Sequence, residues 1–421
     1  MTRALVVDDS QFMRTVIGNA LADAGYDVET AANGREALET VDGFEPDVVT
    51  MDVKMPEMDG IEAVERIMTT DPVPILMLSA YTEEGAEATF DALESGAVDF
   101  LRKPDGSGSR NIGHLASEVI EKVTELANAD VSSLAVARTA AAANATAAVR
   151  ADRAAASGPD SGGSVAARSD AGPGDGPSKA ESAGPQSRSN WRPDPDSSDS
   201  SADRAPVTVD GRPEDGDAPT IVVGASTGGP RIVERLFERL PAALEASVLV
   251  VQHMPAAFTG RFADRLDAAG EYAVREATDG DRVGPGEAVV APGDAHLEVT
   301  GDVGRSIGLS LTDDDHVHGV RPSIDVTMQS VADRVSRPLC GVVLSGMGQD
   351  GAAGIEALDA AGGYTIAQDE TTSPVFGIPC QAIKTGCIDE IAPADEIVDG
   401  IVDACTVDAV DAVDENTGGD P

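Results

Sequence analysis

The sequence predicts an α/β protein with two doubly wound, parallel-sheet domains joined by a disordered linker. Three observations predict it. Short apolar runs alternate with helical patterns from Ala4 to Asn128, which is the signature of β-α units and a parallel sheet. From 129 to 217 the composition turns to Ala, Ser, Gly, Pro and Asp, with too few large apolar residues to offset the entropy of ordering. After Ala218 the apolar runs return, and they end on serine, histidine and polar loops.

In the first region the expected strands are Ala4–Val7, Val28–Thr30, Val48–Met51, Ile75–Leu78 and Phe100–Leu101. Helical patterns fall between them at Gln11–Ala24, Gly34–Val41, Ile61–Thr69 and Glu84–Glu94, with a last one at Gly113–Asn128. The linker begins Ala-rich (Leu134–Val149, expected to be transiently helical) and contains the sole tryptophan, Trp191, read as a chance aromatic. In the third region an apolar run from Thr220 stops at Ser226-Thr-Gly-Gly-Pro230, and an amphipathic helix is expected over Arg231–Leu240, with Pro230 suited to its first turn. A second strand, Val248–Gln252, ends on His253. A third, Cys340–Leu344, runs through Ser345 into Gly346-Met-Gly-Gln-Asp-Gly351. The domains are therefore expected at 1–128 and 218–405, with a linker at 129–217 and an acidic tail at 406–421.

Charge narrows the function classes. There are 74 acidic and 30 basic residues, a formal net of −44. Phosphate binding needs a basic face, so nucleic acid is excluded as a partner. Only five of the basic residues are lysine. Self-repulsion at this charge weakens the compact state in dilute buffer, whereas molar salt cuts the Debye length to about 3 Å. A salt-rich cytoplasm, as in a halophile, is the expected setting. No run of about 18 apolar residues is present to insert in a membrane. The start, Met1 to Asp9, reaches paired acids too soon for a secretory leader. Cys340, Cys380, Cys387 and Cys405 form no C-x-x-C pair and read as small apolar residues.

Asp8 and Asp9 follow the first strand, Asp52 the third, Ser79 the fourth and Lys103 the fifth. In a sheet of order 2-1-3-4-5 these ends meet on one edge. Three carboxylates there repel one another and invite a divalent cation such as Mg²⁺. A carboxylate so placed is a nucleophile toward a phosphoryl group, and the lysine offers it a point charge. Val6-Val-Asp-Asp-Ser10, Met51-Asp-Val-Lys-Met-Pro-Glu-Met-Asp-Gly60 and Leu101-Arg-Lys-Pro104 resemble a two-component receiver domain of flavodoxin-like fold. The resemblance implies Asp52 as phosphoacceptor and Asp8 and Asp9 as Mg²⁺ ligands with the Val53 carbonyl. It implies Ser79 as switch hydroxyl, Phe100 as switch aromatic and Lys103 as phosphate contact.

The second constellation is that of a serine hydrolase. Ser226 sits at a strand-to-helix turn with helix-end N–H groups beside it, ready to stabilise an oxyanion. A serine hydroxyl needs a base, which His253 supplies, and Asp350 can fix the imidazole tautomer. The motifs Gly224–Pro230, Gln252-His-Met-Pro255, Ala291-Pro-Gly-Asp-Ala-His296, Arg321-Pro-Ser-Ile-Asp325 and Gly346–Gly351 resemble the catalytic domain of chemotaxis protein-glutamate methylesterases, the CheB family, whose esterase domain is Rossmann-like. The resemblance implies the same triad roles, with backbone N–H groups of Thr227 and Met347 as oxyanion donors. It implies no cofactor in the esterase domain.

His296 lies in a matching motif without an evident chemical role. His316 and His318 sit in an acidic loop read as solvated, and Arg321, Ser323 and Asp325 are candidates for the wall of the cleft. The resemblance implies a cytoplasmic enzyme that hydrolyses glutamate γ-methyl esters on chemotaxis receptors and deamidates receptor glutamines. A chemotaxis histidine kinase would be its phosphodonor. It further implies that the unphosphorylated receiver packs against the esterase and obstructs access. A non-catalytic receptor-binding module and a receiver-gated hydrolase of another ester are the rival readings.

Overall fold

The computed structural model describes residues 1–79, 83–103, 109–127 and 218–406. The linker with its Ala-rich start and Trp191, Pro104, and the tail beyond Thr406 lie outside the described residues. Among the described residues no helix is long and apolar enough to cross a membrane.

The N-terminal sheet has five strands, β1 (Arg3–Val7), β2 (Asp27–Ala31), β3 (Val48–Asp52), β4 (Ile75–Ser79) and β5 (Asp99–Arg102), in the order β2-β1-β3-β4-β5. All pairings are parallel. β3 and β4 are buried on both faces and read as continuous apolar runs, as a sheet covered on both sides requires. The helices are α1 (Gln11–Asp23), α2 (Gly34–Phe44), α3 (Gly60–Thr70), α4 (Glu83–Glu94) and α5 (Ser109–Leu126). Short polar side chains start three of them. Ser10, Asn33 and Asp59 each accept a hydrogen bond from the backbone N–H three residues on.

The second sheet has seven parallel strands in the order β15-β14-β13-β6-β7-β10-β8. These are β6 (Thr220–Ala225), β7 (Ser247–Gln252), β8 (Ala273–Glu276), β10 (Glu287–Val290), β13 (Leu339–Val343), β14 (Tyr364–Gln368) and β15 (Glu390–Ala392). Its helices are α6 (Gly229–Arg239), α7 (Ala256–Ala269), α8 (Ile324–Arg334), α9 (Ala352–Ala360), α10 (Ile378–Thr385) and α11 (Ile397–Thr406). A small antiparallel sheet of β9 (Arg282–Val283), β11 (His296–Val303) and β12 (Ser306–Thr312) stands apart, an addition that the parallel plan did not include.

The order reverses at β6. The chain runs from β6 to β7 on one side and later returns to β13 on the other. A crevice opens at such a switch point, outside the carboxyl ends of the strands. Ser226 follows β6, His253 follows β7, and the loop carrying Asp350 follows β13.

Candidate active sites

At the carboxyl edge of the first sheet, ligand oxygens of Asp8, Asp9 and Asp52 lie within 4.8 Å of one another. Asp8 and Asp52 are buried and Asp9 is exposed. The Lys103 ammonium lies 2.7 Å from Asp8 Oδ2 and 2.8 Å from Asp52 Oδ1. The contact to Asp8 Oδ2 lacks hydrogen-bond alignment, so this buried oxygen has an ionic neighbour and no hydrogen bond. Burial pushes the Asp52 carboxyl above its ordinary value, Lys103 pulls against that, and Asp8 and Asp9 add to the rise. The Val53 carbonyl accepts from Gly60 N–H at 2.9 Å, which engages one of its two lone pairs. Ser79 is fully buried at the end of β4.

In the second domain Ser226, His253 and Asp350 line one cavity of about 560 Å³. Bonds around Ser226 lock its backbone. Its N–H donates to Ser345 O at 3.0 Å, and its carbonyl accepts from Gly229 N–H and from Gln252 Nε2, both at 2.8 Å. Gly228, at φ +75°, takes the left-handed conformation that opens α6. Gly346 lets the following loop approach, since a Cβ there would lie 2.7 Å from Ser226 Cβ.

His253 Nε2 is 2.8 Å from Asp350 Oδ2. Nδ1 is then the ring nitrogen that does not face Asp350. Among the described residues no hydrogen bond joins Ser226 Oγ to His253, a looseness common before substrate binds. Asp350 is 2% exposed and richly bonded. Oδ1 accepts from Ser323 Oγ at 2.7 Å and Asp325 N–H at 3.1 Å, while Oδ2 also accepts from Ile324 N–H at 2.7 Å. Burial alone would raise its pKa, but the bonds from His253, Ser323 and Ile324 outweigh it and hold the carboxyl below its ordinary value. No acceptor among the described residues bonds the N–H groups of Thr227 or Met347.

Asp325 mirrors Asp350. Asp350, just ahead of α9, receives N–H groups from the start of α8. Asp325, in the first turn of α8, receives Gly351 N–H at 2.9 Å and Gly354 N–H at 2.7 Å from the start of α9. Burial pushes the Asp325 carboxyl up, and the Asp350 charge adds to the rise against the bond from Gly354.

The cavity has a second wall, supplied by the N-terminal domain through Asp99, Phe100, Leu101, Glu118 and Lys122. Lys122 Nζ bonds Asp99 Oδ2 and, at 2.6 Å, Thr227 Oγ1. Thr227 Oγ1 in turn donates to Asp99 Oδ2 at 3.0 Å. Phe100 packs on Phe258 with ring centroids 4.4 Å apart, and Phe90 stacks on Phe262 at 6.1 Å. Arg265 pairs with Glu94 and lies over the Phe90 ring. The residue next to the nucleophile position is thus gripped by side chains of β5 and α5.

Residues 221–401 match the family model for CheB methylesterase, and residues 4–108 match that for the response regulator receiver domain. A protein-glutamate methylesterase/protein-glutamine glutaminase of Natronomonas pharaonis is 48% identical over 95% of this chain and 97% of its own. That of Haloarcula marismortui is 43% identical over 96% and 98%. This chain belongs to the CheB methylesterase family. The crystal structure of the Thermotoga maritima CheB methylesterase catalytic domain is 38% identical, covering 44% of this chain and 97% of that one, with a TM-score of 0.42.

CheB motifs drew attention to Ser226, His253 and Asp350, which line one cavity, but not to what holds them. Ser323 was expected in the cleft wall; it is fully buried and donates to Asp350 instead. Asp325 is likewise a buried cap rather than an open wall, whereas Arg321 does line the cavity and donates to the carbonyls of Asp313 and Asp314. His296 is buried, and its Nδ1 accepts from Ser323 N–H at 3.1 Å, so it serves the Asp350 network. His318 does not sit free in a solvated loop; it bonds Asp325. Gln252 and Ser345 were overlooked. Their signal was a polar residue at the very end of an apolar strand, where its backbone and side chain both meet the serine turn.

Proposed function

We propose that the chain hydrolyses glutamate γ-methyl esters on chemotaxis receptors, and deamidates receptor glutamines, under control of its receiver. The names of its relatives support the substrate class. The observation that carries the chemistry is the His253–Asp350 pair at 2.8 Å, lining one cavity with Ser226. His253 Nδ1 takes the proton as Ser226 Oγ attacks the ester carbonyl. Asp350, held ionised, stabilises the imidazolium and keeps the proton on Nε2. Thr227 and Met347 N–H groups stabilise the oxyanion. His253 then gives that proton to the departing methoxide oxygen or amide nitrogen, which leaves as methanol or ammonia, and activates water to release the acyl group.

In the receiver, residues 1–128, the carboxylates of Asp8, Asp9 and Asp52 fit a hard divalent cation, because a buried Asp8 oxygen lacks a hydrogen bond and the cluster is net negative. Asp8, Asp9 and Asp52, with the Val53 carbonyl, would hold Mg²⁺ there, and the ion would supply charge neutralisation for the incoming phosphoryl group. Asp52 accepts the phosphoryl group from a histidine kinase, Lys103 binds its oxygens, and Ser79 and Phe100 carry the switch. Because Phe100 packs on Phe258, its repacking would loosen the wall over the Ser226 cavity. We place the linker at 129–217, the esterase at 218–405 and the tail at 406–421. A cytoplasmic location follows from the receptor and kinase partners.

The test is methanol release from radiomethylated receptor membranes in molar KCl. Ser226→Ala should keep its fold and lose about 10⁶ in kcat, as serine-triad knockouts do. Retention of a tenth of the activity would remove Ser226 as nucleophile.

A further inference from the structure

The cavity is lined by one histidine–aspartate pair, which the proposed mechanism uses, and by the histidine of a second. The second is His318–Asp325, with His318 Nε2 2.9 Å from Asp325 Oδ2. On the other side of the ring, Nδ1 lies 3.1 Å from Gln349 Nε2. The amide can only donate there, so Nδ1 accepts and Nε2 carries the proton, a tautomer assigned from these partners. Both ring nitrogens are engaged. His318 is therefore not a second proton shuttle.

Its backbone conformation is uncommon outside glycine. Val317 and Val320 exchange backbone hydrogen bonds at 3.1 and 3.0 Å, which makes His318–Gly319 a two-residue hairpin turn. Both turn residues have positive φ, 54° for His318 and 80° for Gly319. Such turns strongly favour Asn-Gly. A bulky residue held in left-handed backbone persists where its surroundings over-determine it, and such residues cluster at functional sites.

The surroundings here converge on one residue. Gln349 directly precedes Asp350 and is bonded to the imidazole. Gly351 directly follows Asp350, and its N–H is held by Asp325, the other partner of the imidazole. We infer that His318 is a positioning residue for the hydrolysis, a clamp that fixes the chain on both sides of Asp350 and so sets the angle at which Asp350 meets His253. The inference rests on the proposed role of Asp350 as the orienter of His253. A metal ion at His318, Asp325 and Asp350 is the poorer use of the cluster, since every oxygen of the two carboxylates already accepts a hydrogen bond.

His318→Asn separates catalysis from fold. Asparagine suits the turn better than histidine, yet cannot bridge Asp325 and Gln349. The full chain, activated with a phosphodonor and Mg²⁺, should stay folded and melt at most a few degrees lower, since Asp325 Oδ2 loses its bond from His318 while the turn gains a better-suited residue. Its kcat for methanol release should fall at least about tenfold with KM changed by less than about twofold, as expected of a misaimed catalytic group. Gln349→Ala, which cuts one of the two ties, should give a smaller loss of the same kind. Wild-type kcat in both variants would overturn the inference, and so would a change confined to KM, which would make His318 a substrate contact. Ser226→Ala is measured alongside. If it is inactive while His318→Asn is fully active, only the clamp is wrong; if it is active, the hydrolase reading itself fails.

Discussion

Asp52 and Asp350 are buried aspartates at the carboxyl edges of two parallel sheets, and their surroundings push them in opposite directions. Asp52 is paired with one ammonium and crowded by two further carboxylates, so burial prevails and its carboxyl rises. Asp350 receives hydrogen bonds from His253, Ser323, Ile324 and Asp325, and its carboxyl falls. Depth of burial therefore does not decide the state of a carboxylate; the supply of donors does. An under-bonded carboxylate is suited to receive a cation and a phosphoryl group. A saturated one is suited to stay charged and orient an imidazole. Asp350, with a depressed value, supports the fold at neutral pH, and that support is lost only as pH falls through the acid range below 3.8. Asp52, with a raised value, costs stability once pH rises above 3.8.

The contrast can be broken most severely at Asp350. Asp350→Asn keeps the shape but replaces an acceptor oxygen with a donor, so the imidazole tautomer is lost. We expect kcat for ester hydrolysis to drop by about 10⁴, as for the equivalent change in a serine protease triad, in a protein that still folds but is less stable because the amide NH2 faces a backbone N–H in either position. A loss below tenfold would mean that Asp350 does not orient the base.

At Asp52 the expected effect is on binding rather than turnover. Mg²⁺ should stabilise the wild-type receiver by relieving carboxylate repulsion, by about 2.7 kcal/mol at a hundred times Kd, and so raise its melting temperature. Asp52→Asn should melt higher than wild type without Mg²⁺ and gain little from adding it. An equal Mg²⁺ shift in both proteins would place the cation elsewhere.

A third carboxylate sharpens the rule at smaller scale. Glu125 on α5 has a buried oxygen without a hydrogen bond, and burial raises its pKa from 4.5 to about 7. The nearby Lys122 is already shared between Asp99 and Thr227. The cost of ionising Glu125 is absent below pH 4.5 and grows as pH rises toward about 7. Glu125→Gln should therefore raise the melting temperature at pH 8 by a few degrees and leave it nearly unchanged at pH 4.5. A uniform shift at both pH values would show that the charge is not the cause.

The receiver was legible nearly element by element, because each functional residue there ends a strand or follows one directly. β1 through β5 were expected within a residue or so of where they lie, and Asp8, Asp52, Ser79 and Lys103 fell with them. The esterase was legible only at the Ser226 turn, at His253 and at the glycine-rich Asp350 loop. Its support comes from afar. Ser323 and Asp325 act on Asp350 across 27 and 25 residues of chain, and Gln252 acts on Ser226 across 26. No periodicity announces a contact of that kind. The antiparallel strand β11 was missed for a related reason, since its alternation is broken by a bulge between Val299 and Gly301. The wall that β5 and α5 raise over the Ser226 cavity was expected from family resemblance alone; the pairing of Lys122 and Asp99 with Thr227 could not be read from either half of the sequence.

Chemistry at Asp52 is proposed to govern access to Ser226. The most direct test is the rate of methanol release by the full-length chain on methylated receptors in molar KCl and Mg²⁺, with and without acetyl phosphate. We expect the phosphodonor to raise the rate of the wild type up to about tenfold, the gain available from a 1.4 kcal/mol shift in docking. We expect Asp52→Asn to stay at the low rate under both conditions. Equal rates with and without phosphodonor in the wild type, or stimulation that survives in Asp52→Asn, would contradict it.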